Sequence, residues 1–145
     1  MKLICDSSAF AKRYVLEDGS EILAHLLQRA SQLALCTIVV PEIISGLNRR
    51  RREQILSSND YCKIKRNLIE DVHDAIVLQI TPSVISYSVS LLENNTLRAM
   101  DALHIACALE WHAELFATAD RRQLNAAQNA GLLTEYIGHQ QDART

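Results

Sequence analysis

Apolar residues in this chain alternate between short unbroken runs and longer stretches with helical spacing. Leu3-Ile4-Cys5 stops at Asp6-Ser7-Ser8, a cluster that caps helices well, so it predicts a strand followed by a helix start. Ala9 to Leu16 predicts a short helix, broken by Glu17-Asp18-Gly19-Ser20. Ile22, Leu23, Leu26, Leu27 and Ala30 then recur as a second helix ending near Ser31. Leu33 to Val40 is apolar and β-branched almost throughout, the texture of a strand buried on both faces of a parallel sheet. Pro41-Glu42 starts the next helix, since proline is tolerated in a first turn where its missing N–H would have no partner. That helix runs into Arg49-Arg50-Arg51-Arg52, and after Ser57-Ser58-Asn59-Asp60 another helix covers Tyr61 to His73.

Ala75 to Ile80 reads as a third strand, and Thr81-Pro82-Ser83 opens a helix over Val84 to Leu92. Asn94-Asn95-Thr96 separates it from an alanine-rich helix over Leu97 to Trp111, where Ala99, Ala102 and Ala106 would allow close approach to a sheet. Leu115-Phe116-Ala117 is a short strand. Asp120 and Gln123 form a capping-box pattern for a helix through about Asn129, Gly131 stops it, and Leu133 to Ile137 supplies a last strand. Strands alternating with helices imply an α/β fold, a mostly parallel sheet of four to five strands flanked by helices on both faces. The chain divides into a single domain over residues 1–137 and a frayed tail over 138–145.

Composition narrows the setting. The 145 residues are 48% hydrophobic, enough for a substantial core, and the net charge of -2 excludes a global positive field, leaving local basic patches for any nucleic acid. The four cysteines are scattered without a C-x-x-C pair, which argues against zinc and for a reduced, cytoplasmic protein with thiols in its core. Asp6 interrupts the first apolar run too soon for a signal peptide, and no apolar run approaches the roughly 20 residues of a membrane span.

The candidate chemistry lies in four acids. Asp6, Glu42 and Asp120 each follow an apolar strand-like run and open a helix, and Asp101 sits in the first turns of the alanine-rich helix. In an open parallel sheet the strand ends line one edge, where ligands bind. Singly, each acid also reads as a helix cap or as a favourable charge at a helix N-terminus. Four carboxylates at one edge would nevertheless repel and raise one another's pKa without a cation, and Mg²⁺ or Mn²⁺ suits oxygen ligands. Ser8 and Thr118 are placed to orient the carboxylates, or to cap and turn. His104, three residues after Asp101, reads as a core or surface histidine before a ligand.

Taken together, Leu-Ile-Cys-Asp6-Ser-Ser8, Pro-Glu42-Ile, Leu97-Arg-Ala-Met-Asp101-Ala-Leu-His-Ile-Ala and Phe-Ala-Thr118-Ala-Asp120-Arg-Arg resemble the PIN domain, in particular VapC-type toxin ribonucleases of toxin–antitoxin pairs. The resemblance implies a PIN-like three-layer sandwich and a metal-dependent endoribonuclease. Asp6, Glu42, Asp101 and Asp120 would be its catalytic acids and hold one or two Mg²⁺ or Mn²⁺ ions, with Glu42 as ligand or base. An antitoxin partner and a homodimer are also implied. RNA phosphates would meet Lys12, Arg13, Arg49, Arg98, Arg121 and Arg122.

A haloacid-dehalogenase-type enzyme needs a second aspartate two residues after the first, where this chain has Ser8, and a response-regulator receiver needs paired acids near the first strand. The rival from another class is a non-catalytic PIN-like module that binds RNA or protein.

Overall fold

In the computed structural model, which describes residues 1–139, five of the apolar runs are strands: β1 (Lys2–Cys5), β2 (Gln32–Cys36), β3 (Ile76–Leu78), β4 (Leu115–Thr118) and β5 (Thr134–Tyr136). Every pairing is parallel, in the order β3-β2-β1-β4-β5, with Ile4 opposite both Ala34 and Phe116. The helices are α1 (Ser7–Phe10), continued by a 3-10 turn over Ala11–Arg13, then α2 (Ser20–Arg29), α3 (Val39–Arg52), α4 (Ser58–Asp74), α5 (Pro82–Asn94), α6 (Ala99–Trp111) and α7 (Arg121–Asn129).

Side chains alternate between two cores, because successive strand residues point to opposite faces. Ile4, Ala34, Cys36 and Phe116 pack with α5, α6 and α7 on one face. Leu3, Cys5, Leu35 and Ala117 pack with residues of α1 to α4 on the other. Both faces are covered, so the strands read as continuous apolar runs and the architecture is the expected three-layer sandwich. β1 is central, and the chain winds outward from it through β2 to β3 before returning to β4 on its other side. That reversal opens a crevice at the carboxyl ends of β1 and β4, where Asp6 and Asp120 follow.

The strand expected over Leu33 to Val40 ends at Cys36, and helix α3 begins at Val39, two residues before Pro41. Ile38 already has helical backbone angles, and its carbonyl accepts the first helical bond from the Glu42 N–H at 3.2 Å. Pro41 is thus the third helical residue, still among the first four whose N–H groups lack an intrahelical partner. Apolar Val39 is buried in either conformation, so its hydrophobicity does not distinguish them. Helix α4 starts earlier than expected because Ser57 Oγ accepts from the Asp60 N–H at 3.1 Å, while α5 opens at the expected cap, with Thr81 Oγ1 accepting from the Val84 N–H at 3.2 Å.

Two further expectations change. Ala102 and Ala106 are fully buried against the sheet, but Ala99 is exposed at the first turn of α6. Gly138 is buried beside Tyr136, so the chain is still packed where the frayed tail was expected to begin; residues 140–145 of that tail lie outside the described residues. Gly19, at φ +94°, caps α2 where an added Cβ would stand 1.9 Å from the Ile137 carbonyl oxygen, so glycine is required for that contact. Among the described residues no helix is long and apolar enough to cross a membrane.

Candidate active site

Asp6 is the floor of the crevice. It is fully buried, caps α1 by accepting from the Ala9 N–H at 2.8 Å, and accepts from Ser8 Oγ at 2.8 Å and Thr118 Oγ1 at 2.6 Å. Burial pushes its carboxyl above the ordinary carboxylate range, against the opposing pull of His104 and these donors. Thr118 Oγ1 also accepts from the Asp120 N–H at 3.0 Å, and Ser8 Oγ from the Ala119 N–H at 3.0 Å. Two hydroxyls therefore stitch the end of β1 to the end of β4.

The Asp120 carboxylate caps α7, accepting from the N–H groups of Arg122 at 2.8 Å and Gln123 at 3.2 Å. Gln123 does not close the expected capping box. Its side-chain amide instead donates to Asp101 Oδ1 at 3.1 Å, and the Asp120 N–H has taken Thr118 as partner. Asp101, in the first turn of α6, is partly buried. Its pKa is raised by burial first, then by the charges of Asp120 and, more weakly, Glu42.

Glu42, in the first turn of α3, accepts from Ser7 Oγ at 2.7 Å and pairs with His104 Nε2 at 2.5 Å. Burial alone would raise Glu42, but the His104 and Ser7 bonds outweigh it and hold its pKa below the ordinary value. Burial would likewise lower His104; its bond to Glu42 and the charge of Asp6 outweigh it, favouring the imidazolium. His104 is 1% exposed and its Nδ1 has no hydrogen-bond partner. His104, which reads from sequence as a core or surface histidine, is thus a partner of Glu42, and Ser7 and the Gln123 amide are further site groups that no sequence motif marks. The usable signal was the Asp101/His104 spacing on one helix face, but the partner on α3 is sixty-two residues distant in sequence.

Among the described residues, no three His, Cys, Asp or Glu side chains are grouped so as to hold a metal ion. Asp6 has both oxygens committed to its own hydrogen bonds, and each of the others has one oxygen tied to a neighbour. What remains still suits a hard divalent cation in kind. Glu42 Oε2, Asp101 Oδ2 and Asp120 Oδ2 accept no hydrogen bond among the described residues, and the raised pKa of Asp101 registers the proximity of the other two carboxylates.

The basic residues divide. Arg49 and Arg50 line a cavity of about 480 Å³ together with Glu42, Ser7 and Ser8. Lys12 borders the same cavity but is buried and spends its ammonium on Glu17 and the Asp18 carbonyl, which removes it from the expected phosphate contacts. Arg13 is also corrected: it pairs with Asp71 at 2.8 Å and lines a different cavity, of about 440 Å³, that touches none of the four acids. Arg98 and Arg122 are exposed beside Asp101 and Asp120. Arg121 lies over the Tyr136 ring at 5.8 Å, with Nε and one terminal nitrogen buried and without partners.

Comparison with known proteins bears on the fold and the family. No curated protein sequence matches the chain. Solved structures do. FitAcB from Neisseria gonorrhoeae is 15% identical with a TM-score of 0.68, covering 91% of this chain and 95% of that one. VapBC-1 from nontypeable Haemophilus influenzae is 14% identical with a TM-score of 0.69, covering 94% and 98%. VapC20 from Mycobacterium tuberculosis, a Sarcin-Ricin loop cleaving toxin, is 15% identical with a TM-score of 0.67, covering 90% and 96%. At such identities the likeness is one of fold. The PIN domain family model matches residues 3–129, most of the chain and all four acids. The chain therefore belongs to the PIN domain family.

Proposed function

We propose that this protein is a cytoplasmic, divalent-metal-dependent endoribonuclease, the toxin of a toxin–antitoxin pair. The observation that carries the reading is that Glu42, Asp101 and Asp120 each keep one carboxylate oxygen free of hydrogen bonds, while Asp101 is raised in part by the charges of the other two. The family and the similarity to VapC20 support RNA as substrate.

Glu42, Asp101 and Asp120 would hold Mg²⁺ or Mn²⁺, with Asp6 as a further or water-mediated ligand. When bound, the cation would supply Lewis acidity at the phosphodiester and make water a better nucleophile, giving 5′-phosphate and 3′-hydroxyl products. Ser8 and Thr118 fix Asp6. Ser7 and His104 fix one oxygen of Glu42, leaving the other for the cation or for a proton from water. Arg49 and Arg50 would neutralise RNA phosphates at the Glu42 side, with Arg98, Arg121 and Arg122 on the Asp101–Asp120 side.

Similarity to toxin–antitoxin complexes supports a cognate antitoxin that blocks this edge. A homodimer would use α5, whose Ile85, Val89 and Leu92 recur at helical spacing and are 48%, 51% and 39% exposed. Val89→Asp should then shift the protein to monomer in light scattering.

The second reading, an RNA-binding module without catalysis, is favoured by the absence of three grouped metal-ligating side chains among the described residues. A mixed RNA pool incubated with wild type, Asp101→Asn and an EDTA-treated control separates the two. Cleavage by metal-supplied wild type alone supports the nuclease. Equal cleavage in all three contradicts the metal mechanism, and binding without cleavage favours the module.

A further inference from the structure

Helix α3 carries a glycine that its own packing does not require. Gly46 lies in the helix interior, where glycine is less favourable than any residue but proline because it gives up the most backbone freedom. The other three glycines have local reasons: Gly19 and Gly131 have φ of +94° and +92°, and a Cβ on Gly138 would stand 2.3 Å from the Tyr136 hydroxyl. Gly46 has neither reason. A Cβ there would meet nothing within 4 Å among the described residues.

That bare backbone borders the cavity of about 480 Å³ beside the acids, a volume within the range of small-ligand clefts, about 300–1,000 Å³. Glu42, Gly46, Arg49 and Arg50 all line it, and positions four, seven and eight residues after Glu42 fall on one face of a helix. Ile43 and Leu47 add apolar side chains to the same lining. From the chain after α1, Lys12 and Glu17 also border the cavity, but they pair with each other at 3.1 Å. Arg49 and Arg50 enter none of the ion pairs among the described residues. Along one helix face the cleft therefore offers a carboxylate with a free oxygen, then uncovered backbone, then two unpaired guanidinium groups.

We propose that this cleft is a nucleotide subsite. One unpaired nucleotide next to the scissile phosphodiester lies along α3, its base against Gly46 and its outer phosphate on Arg49 and Arg50. The identity of the ligand rests on the RNA substrate proposed above. Guanidinium groups neutralise phosphate and can hold two of its oxygens at once. The base packs on bare backbone and on the apolar lining, where any side chain at position 46 would take its place. A base paired within a duplex cannot enter such a cleft, so the subsite selects single strands and loops. Gly46 is thus a specificity-determining residue, present for the ligand and not for the helix.

The test uses full-length wild type, Gly46→Ala and Gly46→Leu. Both substitutions place a better helix former in α3, so melting temperatures should equal or exceed that of wild type. A short fluorescein-labelled RNA, single-stranded or annealed to its complement, is titrated by anisotropy in EDTA and in Ca²⁺, with gels checking that it stays intact. Wild type should prefer the single strand. Gly46→Leu should weaken single-strand binding at least about tenfold and Gly46→Ala less, with duplex binding and Mn²⁺ binding unchanged. Single-strand affinity of Gly46→Leu equal to that of wild type would overturn the subsite. So would an equal loss for the duplex, or a loss accompanied by a lower melting temperature. Failure of wild type to bind either RNA would overturn the RNA substrate and the subsite together. Absence of Mn²⁺ binding by wild type, with the RNA results as expected, would contradict the metal-dependent reading and leave the subsite standing.

Discussion

Asp6 and Asp101 are both aspartates with raised pKa values, yet they are held in opposite ways. Asp6 is sealed beneath the sheet edge, its oxygens taken by two hydroxyls and a backbone N–H. Asp101 is partly exposed, holds one hydrogen bond from Gln123, and is raised in part by other carboxylates. The first is integrated into the fold; the second carries unrelieved repulsion that a cation would remove. Asp6 should therefore matter to folding and chemistry alike, and Asp101 chiefly to chemistry.

The largest difference should appear on comparing Asp6→Ala with Asp101→Asn. Both should lose RNA cleavage, by about 10²–10⁴-fold if the acids act in the chemical step. Only Asp6→Ala should unfold easily, since it removes a helix cap and strands two hydroxyls and an N–H, at a cost of about 2–4 kcal/mol in denaturant titration. Comparable stability of the two variants would break the contrast.

Thr118→Val should cost about 1–3 kcal/mol, because it removes a donor to Asp6 and the acceptor for the Asp120 N–H. Thr118→Ser should recover most of it. Asp101→Asn, by contrast, should raise the melting temperature at neutral pH, because it removes both the cost of burying the charge and the repulsion from Asp120 and Glu42, an effect that solvent screening keeps small. For a raised acid the sign is clear: the folded state binds the proton more tightly, so stability falls as pH rises from 3.8 through the folded-state pKa. A lower melting temperature for Asp101→Asn would contradict the repulsion.

The smallest effect belongs to the Glu42–His104 pair. His104 is raised above 6.5, so its contribution is full below that pH and is lost as pH climbs through the folded-state value. Glu42 is lowered below 4.5, so its contribution is present above that pH and lost on acidification through its folded-state value. Wild type should exceed Glu42→Gln in stability most between these limits, and melting curves from pH 3 to 9 would show it. A difference independent of pH would mean that the pair is not ionic.

The strands, the layering and the four acids were legible in the sequence because each depends on local pattern. Leu3-Ile4-Cys5 and Leu115-Phe116-Ala117 are apolar on both faces for the reason the sheet is covered on both faces. The β2–α3 boundary was not legible, because Ile38 and Val39 are buried whether the backbone is extended or helical. His104 was undervalued because its meaning comes from Glu42 on a separate helix. Lys12 and Arg13 misled because proximity in sequence to Asp6 carries no direction. The chain turns after α1, and their charges are met by Glu17 and Asp71.

The central claim is that the acids at this edge form a cation site that the crowded Asp101 completes. Titration of Mn²⁺ into the full-length protein, followed by the electron paramagnetic resonance of free Mn²⁺, tests it without any RNA. The account predicts saturable binding by wild type, weakened at least about tenfold in Asp101→Asn, a loss of about 1.4 kcal/mol or more. Equal binding by the two proteins, or none by wild type, would contradict it.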